Sequence, residues 1–228
     1  TTLFCPIEMD RGNPISLKNN NKPVANALAR WQSASKNLFV WDYTVQFANY
    51  MSPFPNLSYF EENYTTFKAN NVKGLFVQGY ADVPGDFSEL RQYLLAKLLW
   101  DASIDVKATT ADFLRGFYGK AASEIENYLK LLSENQKKSK AYLDIYSGPV
   151  QNRTTYLTPE AMNQYDKFLE KAWQAVDEDK TIQKRVEKLR LALEYTYFEQ
   201  AKFYGADAHG LFITNSNSNI LIYLLNKN

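Results

Sequence analysis

The sequence holds one cysteine, Cys5, and one histidine, His209. A single thiol excludes an intrachain disulfide and a cysteine-rich zinc cluster, and a single imidazole removes nearly every histidine-based metal site. Catalysis, where the chain has any, therefore rests on carboxylates, tyrosine, asparagine or lysine, with no metal and no cofactor expected. An excess of charge of one sign is also missing. The 26 Lys and Arg against 25 Asp and Glu leave a net charge of +1, so no global field concentrates the protein on nucleic acid or an anionic membrane. No run of about 18 apolar residues is present, as a membrane-spanning helix requires. The start carries no basic-then-apolar leader, and the chain has neither a phosphate-cradling glycine-rich loop nor a Gly-x-Ser-x-Gly elbow. Because it begins at Thr1 rather than Met, the chain reads as a processed or truncated portion of a longer product.

What is present suffices for a substantial core: 228 residues, 45% apolar and 15% aromatic, point to one large domain or two small ones and exclude disorder as the main state. Three short β-rich runs lie in the first 80 residues: 2–8, limited by Pro6, then 37–43 and 72–79. The last two are nearly continuous apolar runs, suited to parallel strands buried on both faces. Segments of helical character, 22–34 and 58–70, precede them, so two strand-helix-strand crossovers stand end to end. From Phe87 the apolar period becomes about 3.6: Leu90, Tyr93, Leu94, Leu98 and Leu99 form one stripe, and helices are expected over 105–118, 121–138, 158–176 and 181–204. Thr158-Pro159 is a helix start, Gly119 a stop, and 146–155 reads as a linker or exposed loop. The apolar tail 219–225 fits a strand or a helix.

In parallel α/β sheets, ligands sit beyond the carboxyl ends of the strands. Glu8, Asp10 and Arg11 follow the first run, Trp41, Asp42 and Tyr43 end the second, and Gln78 and Tyr80, then Asp82, follow the third. Carboxylates, aromatics and amides at one rim are what a carbohydrate site uses: rings stack on the apolar side of a sugar, polar groups bind hydroxyls, and a carboxylate pair can divide acid, base or nucleophile roles. The competing reading makes the carboxylates helix caps or partners of Arg11, and Trp41 a core residue. Alternation puts Trp41 and Asp42 on opposite faces. His209 is expected to cap a helix end and Cys5 to be a buried small hydrophobe. Three triplets starting at Asn56, Asn63 and Asn152 match the glycosylation acceptor pattern.

Phe4-Cys5-Pro6-Ile7-Glu8-Met9-Asp10-Arg11, Leu38-Phe39-Val40-Trp41-Asp42-Tyr43 with Pro53-Phe54-Pro55-Asn56, and Val72-Lys73-Gly74-Leu75-Phe76 together resemble a known family, as does the later stretch from Leu90 to Asp101 with Asp112-Phe113-Leu114 and Phe117-Tyr118-Gly119. The likeness, over about residues 3–132, is to the domain of unknown function of large bacterial glycoside-hydrolase-like proteins, distantly similar to α-glucuronidases and β-hexosaminidases. It implies the later strands of a (β/α)8-type barrel, or a small parallel sheet, followed by an α-helical domain, with the barrel-type segment over 1–118 and the helical region over 119–228. The absent strands would come from deleted upstream sequence or another chain. It further implies a carbohydrate ligand, a periplasmic or extracellular location and rim residues at Glu8, Asp10, Trp41, Asp42, Tyr43 and Gln78; catalytic carboxylates are expected among Asp42, Glu8 and Asp10, and substrate contacts from Trp41, Tyr43 and Gln78, with Tyr80 and Arg11 added by their place at the same strand ends. Where the family commonly has Glu before the Gln-Gly pair, this sequence has Val77, which favours the alternative of a carbohydrate-binding or structural module without turnover. A helical scaffold for protein partners is the third reading.

Overall fold

The computed structural model describes residues 1–79 and 85–204. Tyr80, Asp82, His209 and the tail 219–225 lie outside the described residues. The first unit runs β1 (Thr2–Phe4), α1 (Lys22–Ala34), β2 (Leu38–Tyr43), a 3-10 turn (Leu57–Tyr59) leading into α2 (Phe60–Ala69), and β3 (Val72–Gln78). Among the described residues the strands form one three-stranded parallel sheet in the order β1-β2-β3. Of the two expected architectures, this is the small parallel sheet followed by helices.

The expected first strand stops four residues early. Pro6 brings no N–H to a ladder, and the backbone turns instead through Ile7 N–H to the Cys5 carbonyl (2.8 Å) and Met9 N–H to the Pro6 carbonyl (3.2 Å). Further along, Phe39 pairs with Gly74, Trp41 with Phe76 and Tyr43 with Gln78. Gly74 leaves room for the Phe39 ring, which a Cβ there would approach to 2.8 Å. Period-2 alternation divides the sheet into two faces. On one, Leu38 and Val40 pack with Met9 and Ile15, with Val24 and Leu28 of α1, and with Phe67 of α2. On the other, Leu3, Phe39 and Phe76 remain 53%, 37% and 57% exposed. Among the described residues the strands are thus covered on one face rather than two.

The second unit is α3 (Ser88–Trp100), α4 (Val106–Tyr118), α5 (Ala122–Ser139), α6 (Pro159–Gln174) and α7 (Lys180–Tyr204). Asp105 opens α4 by accepting from Ala108 N–H, and Thr158 opens α6 by accepting from Ala161 N–H, with Pro159 in the first turn. Gly119 ends α4 at φ 53°, a conformation glycine adopts freely. Leu94, Leu114, Tyr128, Tyr165 and Leu193 build one core from all five helices, and Phe54, Phe60 and Tyr64 from the sheet unit enter the same core. The segment 146–155 is not an exposed linker: Gly148, Pro149 and Asn152 are buried. Gln200 of α7 holds it by donating to the carbonyls of Pro149 (2.8 Å) and Leu157 (3.0 Å), since a buried carbonyl needs a donor. Among the described residues, no helix is long and apolar enough to cross a membrane.

Candidate functional site

The open sheet face carries an aromatic cluster at its carboxyl end. Trp41 and Tyr43, two residues apart and therefore on one side of β2, stack with ring centroids 5.9 Å apart and planes at 15°. Phe76, the register partner of Trp41, meets it edge-on at 4.9 Å. Gln78 is the polar end of this row: its Oε1 accepts from Trp41 Nε1 at 3.2 Å, and its carbonyl accepts from Thr44 N–H at 3.0 Å. The indole is thereby fixed in orientation.

Asp42 lies on the opposite face, as alternation requires, in line with Leu38 and Val40 and buried with them. Its Oδ1 accepts from Tyr43 N–H at 2.9 Å. Burial raises its carboxyl above the usual carboxylate range, against the pull of Arg11 and that N–H. Arg11 is buried beside it, and burial lowers its guanidinium while Asp42 opposes the shift. Arg11 donates to the carbonyls of Met9 (2.7 Å), Pro6 (3.1 Å) and Tyr43, and its guanidinium carbon sits 5.4 Å from the Tyr43 ring centre. It therefore ties the turn after β1 to the end of β2 and supports Tyr43 from behind.

Asp10 is fully buried, and every strong acceptor position of its carboxylate is in use. Oδ1 accepts from the N–H groups of Gly12 (2.9 Å) and Leu143 (3.0 Å), and Oδ2 from the side-chain amides of Asn13 (2.8 Å) and Asn20 (3.0 Å). Asn21 clasps its backbone, accepting from Asp10 N–H and donating to its carbonyl, each at 2.8 Å. This arrangement holds a loop in shape and leaves no lone pair aimed at a substrate. Glu8, in contrast, is exposed, and its backbone carbonyl accepts from the Tyr142 hydroxyl.

Tyr142 and Tyr146, both exposed, reach this rim from the segment after α5. Burial raises the Tyr142 hydroxyl first, then the negative charges of Asp10 and Glu8. Tyr43 is likewise raised by burial, with Cys5 and Tyr146 as neighbours. Sequence reasoning missed both tyrosines; their signal was the alternation over 141–146, in which Ala141, Leu143 and Ile145 are buried while Tyr142 and Tyr146 stay exposed. Cys5 is exposed at the same rim rather than buried. Among the described residues, no group of three or more His, Cys, Asp or Glu is placed to hold a metal ion.

The three triplets that match the glycosylation pattern have their asparagines turned inward in the folded chain. Asn56, Asn63 and Asn152 are all buried: Asn56 donates to the Thr44 carbonyl (3.0 Å), Asn63 accepts from Ile15 N–H (2.8 Å) and Asn152 donates to the Gly148 carbonyl (3.0 Å). Side-chain amides bind backbone here because loops that run inward need partners.

A family model described as "Domain of unknown function (DUF4838)" matches residues 1–130. The chain belongs to the DUF4838 family. No curated protein and no solved structure matches it. The DUF4838 match takes in the sheet, both crossovers, α3, α4 and the first half of α5, and so includes Glu8, Asp10, Arg11, Trp41, Asp42, Tyr43 and Gln78. Tyr142, Tyr146 and Leu143, which complete the rim, lie beyond the residues matched by the DUF4838 model.

Proposed function

We propose that the open sheet face of this DUF4838 chain is a carbohydrate-contact surface within a glycoside-hydrolase-like protein of the periplasm or cell exterior. The observation that carries this reading is the Trp41–Tyr43 stack, flanked by Phe76 and ending in Gln78. Pyranose rings present C–H faces to such aromatics, while amide and carboxylate groups bind the equatorial hydroxyls. Tyr142, Tyr146 and Glu8 extend the surface beyond the strand ends.

The geometry favours binding over hydrolysis by these residues alone. Glycoside hydrolysis uses two carboxyl groups on either side of the scissile bond, about 5–5.5 Å or 6.5–9.5 Å apart. Asp10 is saturated with donors and Asp42 faces the helices, which leaves Glu8 as the accessible carboxylate of the three. In a (β/α)8-type setting the open face is the barrel interior, and a second carboxylate comes from strands of another segment.

The test is a glycan array followed by calorimetric titration of each hit, for wild type, Trp41→Ala and Phe76→Ala, with aryl glycosides as turnover substrates. We expect binding that drops about fivefold in each variant, since a lost stacking contact is worth about 1 kcal/mol. Retention of binding by both variants, or no glycan bound, defeats the reading. Turnover abolished by Glu8→Gln with binding intact converts it to a hydrolase.

A further inference from the structure

The charges of this nearly neutral chain are unevenly placed. Residues 11–41 hold five of the 26 Lys and Arg and none of the 25 Asp and Glu. Arg11 is engaged by backbone carbonyls, but Lys18, Lys22, Arg30 and Lys36 are all exposed. None of these four forms an ion pair among the described residues. A solvated helix face commonly mixes both signs, as α5 does with Lys130 and Glu134, whereas a face of one sign concentrates counter-charged ligands.

The helix α1 arranges this charge in a line. Val24 and Leu28 are its buried residues and pack on the sheet, so the opposite side faces solvent. Lys22, Asn26 and Arg30 follow one another at four-residue spacing and stand in one exposed row, with the two cations about 12 Å apart along the axis. Together with the small side chains of Ala27 and Ala34 they line a shallow trough, and Trp31, 44% exposed, walls it. Neither the Trp31 indole N–H nor the Asn26 side-chain amide has a hydrogen-bond partner among the described residues. Lys18 and Lys36 continue the positive charge past both ends of the helix.

A row of cations with an amide between them and an aromatic face beside them suits a linear polymer that carries acid groups, hydroxyls and C–H faces. We propose that the outer side of α1 binds an anionic polysaccharide, carboxylated or sulfated. Lys22 and Arg30 pair with acid groups on separate sugars, Asn26 bonds hydroxyls, and Trp31 takes the C–H face of a ring. A lipid surface fits less well, because an interfacial helix offers its apolar face to the bilayer and α1 has placed Val24 and Leu28 against the sheet. Nucleic acid would call for a broader basic footprint than a chain of net charge +1 with one cationic element supplies. This surface lies on the helical side of the sheet, apart from the Trp41–Tyr43 face, and does not rest on the reading given to that face.

The test titrates the full chain by calorimetry with hexagalacturonate, neutral cellohexaose, phosphatidylglycerol vesicles and a single-stranded DNA oligonucleotide. The variants are Lys22→Gln with Arg30→Gln, Trp31→Ala, and Lys167→Gln with Lys171→Gln, a pair that removes the same charge from exposed positions of α6. We expect hexagalacturonate to bind with a Kd below about 1 mM, more tightly than the other three probes, and to weaken as salt rises from about 50 to about 300 mM. Its affinity should fall about tenfold in the α1 pair, about fivefold in Trp31→Ala and less than about twofold in the α6 pair. Circular dichroism checks the fold of each variant, and the probe comparison and the salt dependence need no variant. Cellohexaose binding lost in Trp41→Ala reports on the sheet face, and hexagalacturonate binding lost in the α1 pair reports on this one, so either surface can fail alone. No hexagalacturonate binding, equal affinity for cellohexaose, an equal loss in the α6 pair, or tighter binding to the vesicles or the oligonucleotide overturns the proposal.

Discussion

Asp10 Oδ1 accepts a hydrogen bond from the backbone N–H of Leu143, 3.0 Å away in space and 133 residues later in the chain. With Gly12, Asn13 and Asn20 as its other donors, this one carboxylate joins the turn after β1 to the segment after α5. Asp10→Ala strands two buried N–H groups and two amides, and we expect a loss of about 3–4 kcal/mol in urea unfolding. A loss below about 1 kcal/mol would contradict the structural role.

Asp86 sets a dependence on pH. Burial, the dominant cause, lifts its carboxyl from 3.8 to about 6, with Arg91 and the Phe54 N–H pulling the other way. Arg91 is lowered by burial to about 10 and stays cationic at neutrality. The folded chain holds the Asp86 proton more tightly than the unfolded chain does, so this contribution is complete below about pH 4 and is lost as pH rises to about 6. The unfolding free energy of wild type minus that of Asp86→Asn should fall over this window by at most roughly 3 kcal/mol and then level off. Urea titrations at about pH 4, 5, 6 and 7 measure it; a difference that rises with pH refutes the assignment.

Gly119 closes α4 at φ 53°, and a Cβ there would meet Ile182 Cδ1 at 3.0 Å. Gly119→Ala pays both the left-handed backbone penalty and this crowding. We expect about 1–2 kcal/mol of destabilisation by thermal or denaturant unfolding, whereas an Ala that stabilised the chain would show the backbone to be relaxed there.

Val40 and Phe76 test the asymmetry of the sheet. Val40 is fully buried under α1 and α2, and Phe76 is 57% exposed on the other side. Val40→Ala should cost about 2 kcal/mol and Phe76→Ser less than about 1 kcal/mol in the same unfolding assay. Equal costs would mean that the open face is covered in solution.

Local signals in the sequence carry most of the fold. The range 22–34 is read as a helix and is one, the Asp105 and Thr158 starts cap as their chemistry requires, and the two crossovers give a parallel sheet. The site is less legible. Alternation separates Trp41 from Asp42 but is symmetric, so it does not tell which side α1 and α2 will cover; that follows from the packing of Val24, Leu28 and Phe67. Tyr142 reaches Glu8 across 134 residues, a contact no local pattern encodes. Arg91 did have a signal, since it stands beside Leu90 and three residues before Leu94 in the apolar stripe of α3, where a charge needs a buried partner.

The loop after β2 is held from far along the chain: Gln46 donates to the Asp144 and Ser147 carbonyls, and Asn49 accepts from the Tyr195 hydroxyl 146 residues later. On a ribosome adding roughly 5–20 residues per second, those partners emerge on the order of ten seconds after the strand they stabilise. During that interval the newborn sheet must keep its aromatic face and Cys5 from neighbouring nascent chains, so slowing synthesis between residues 50 and 195 should lower the soluble yield more than slowing it elsewhere.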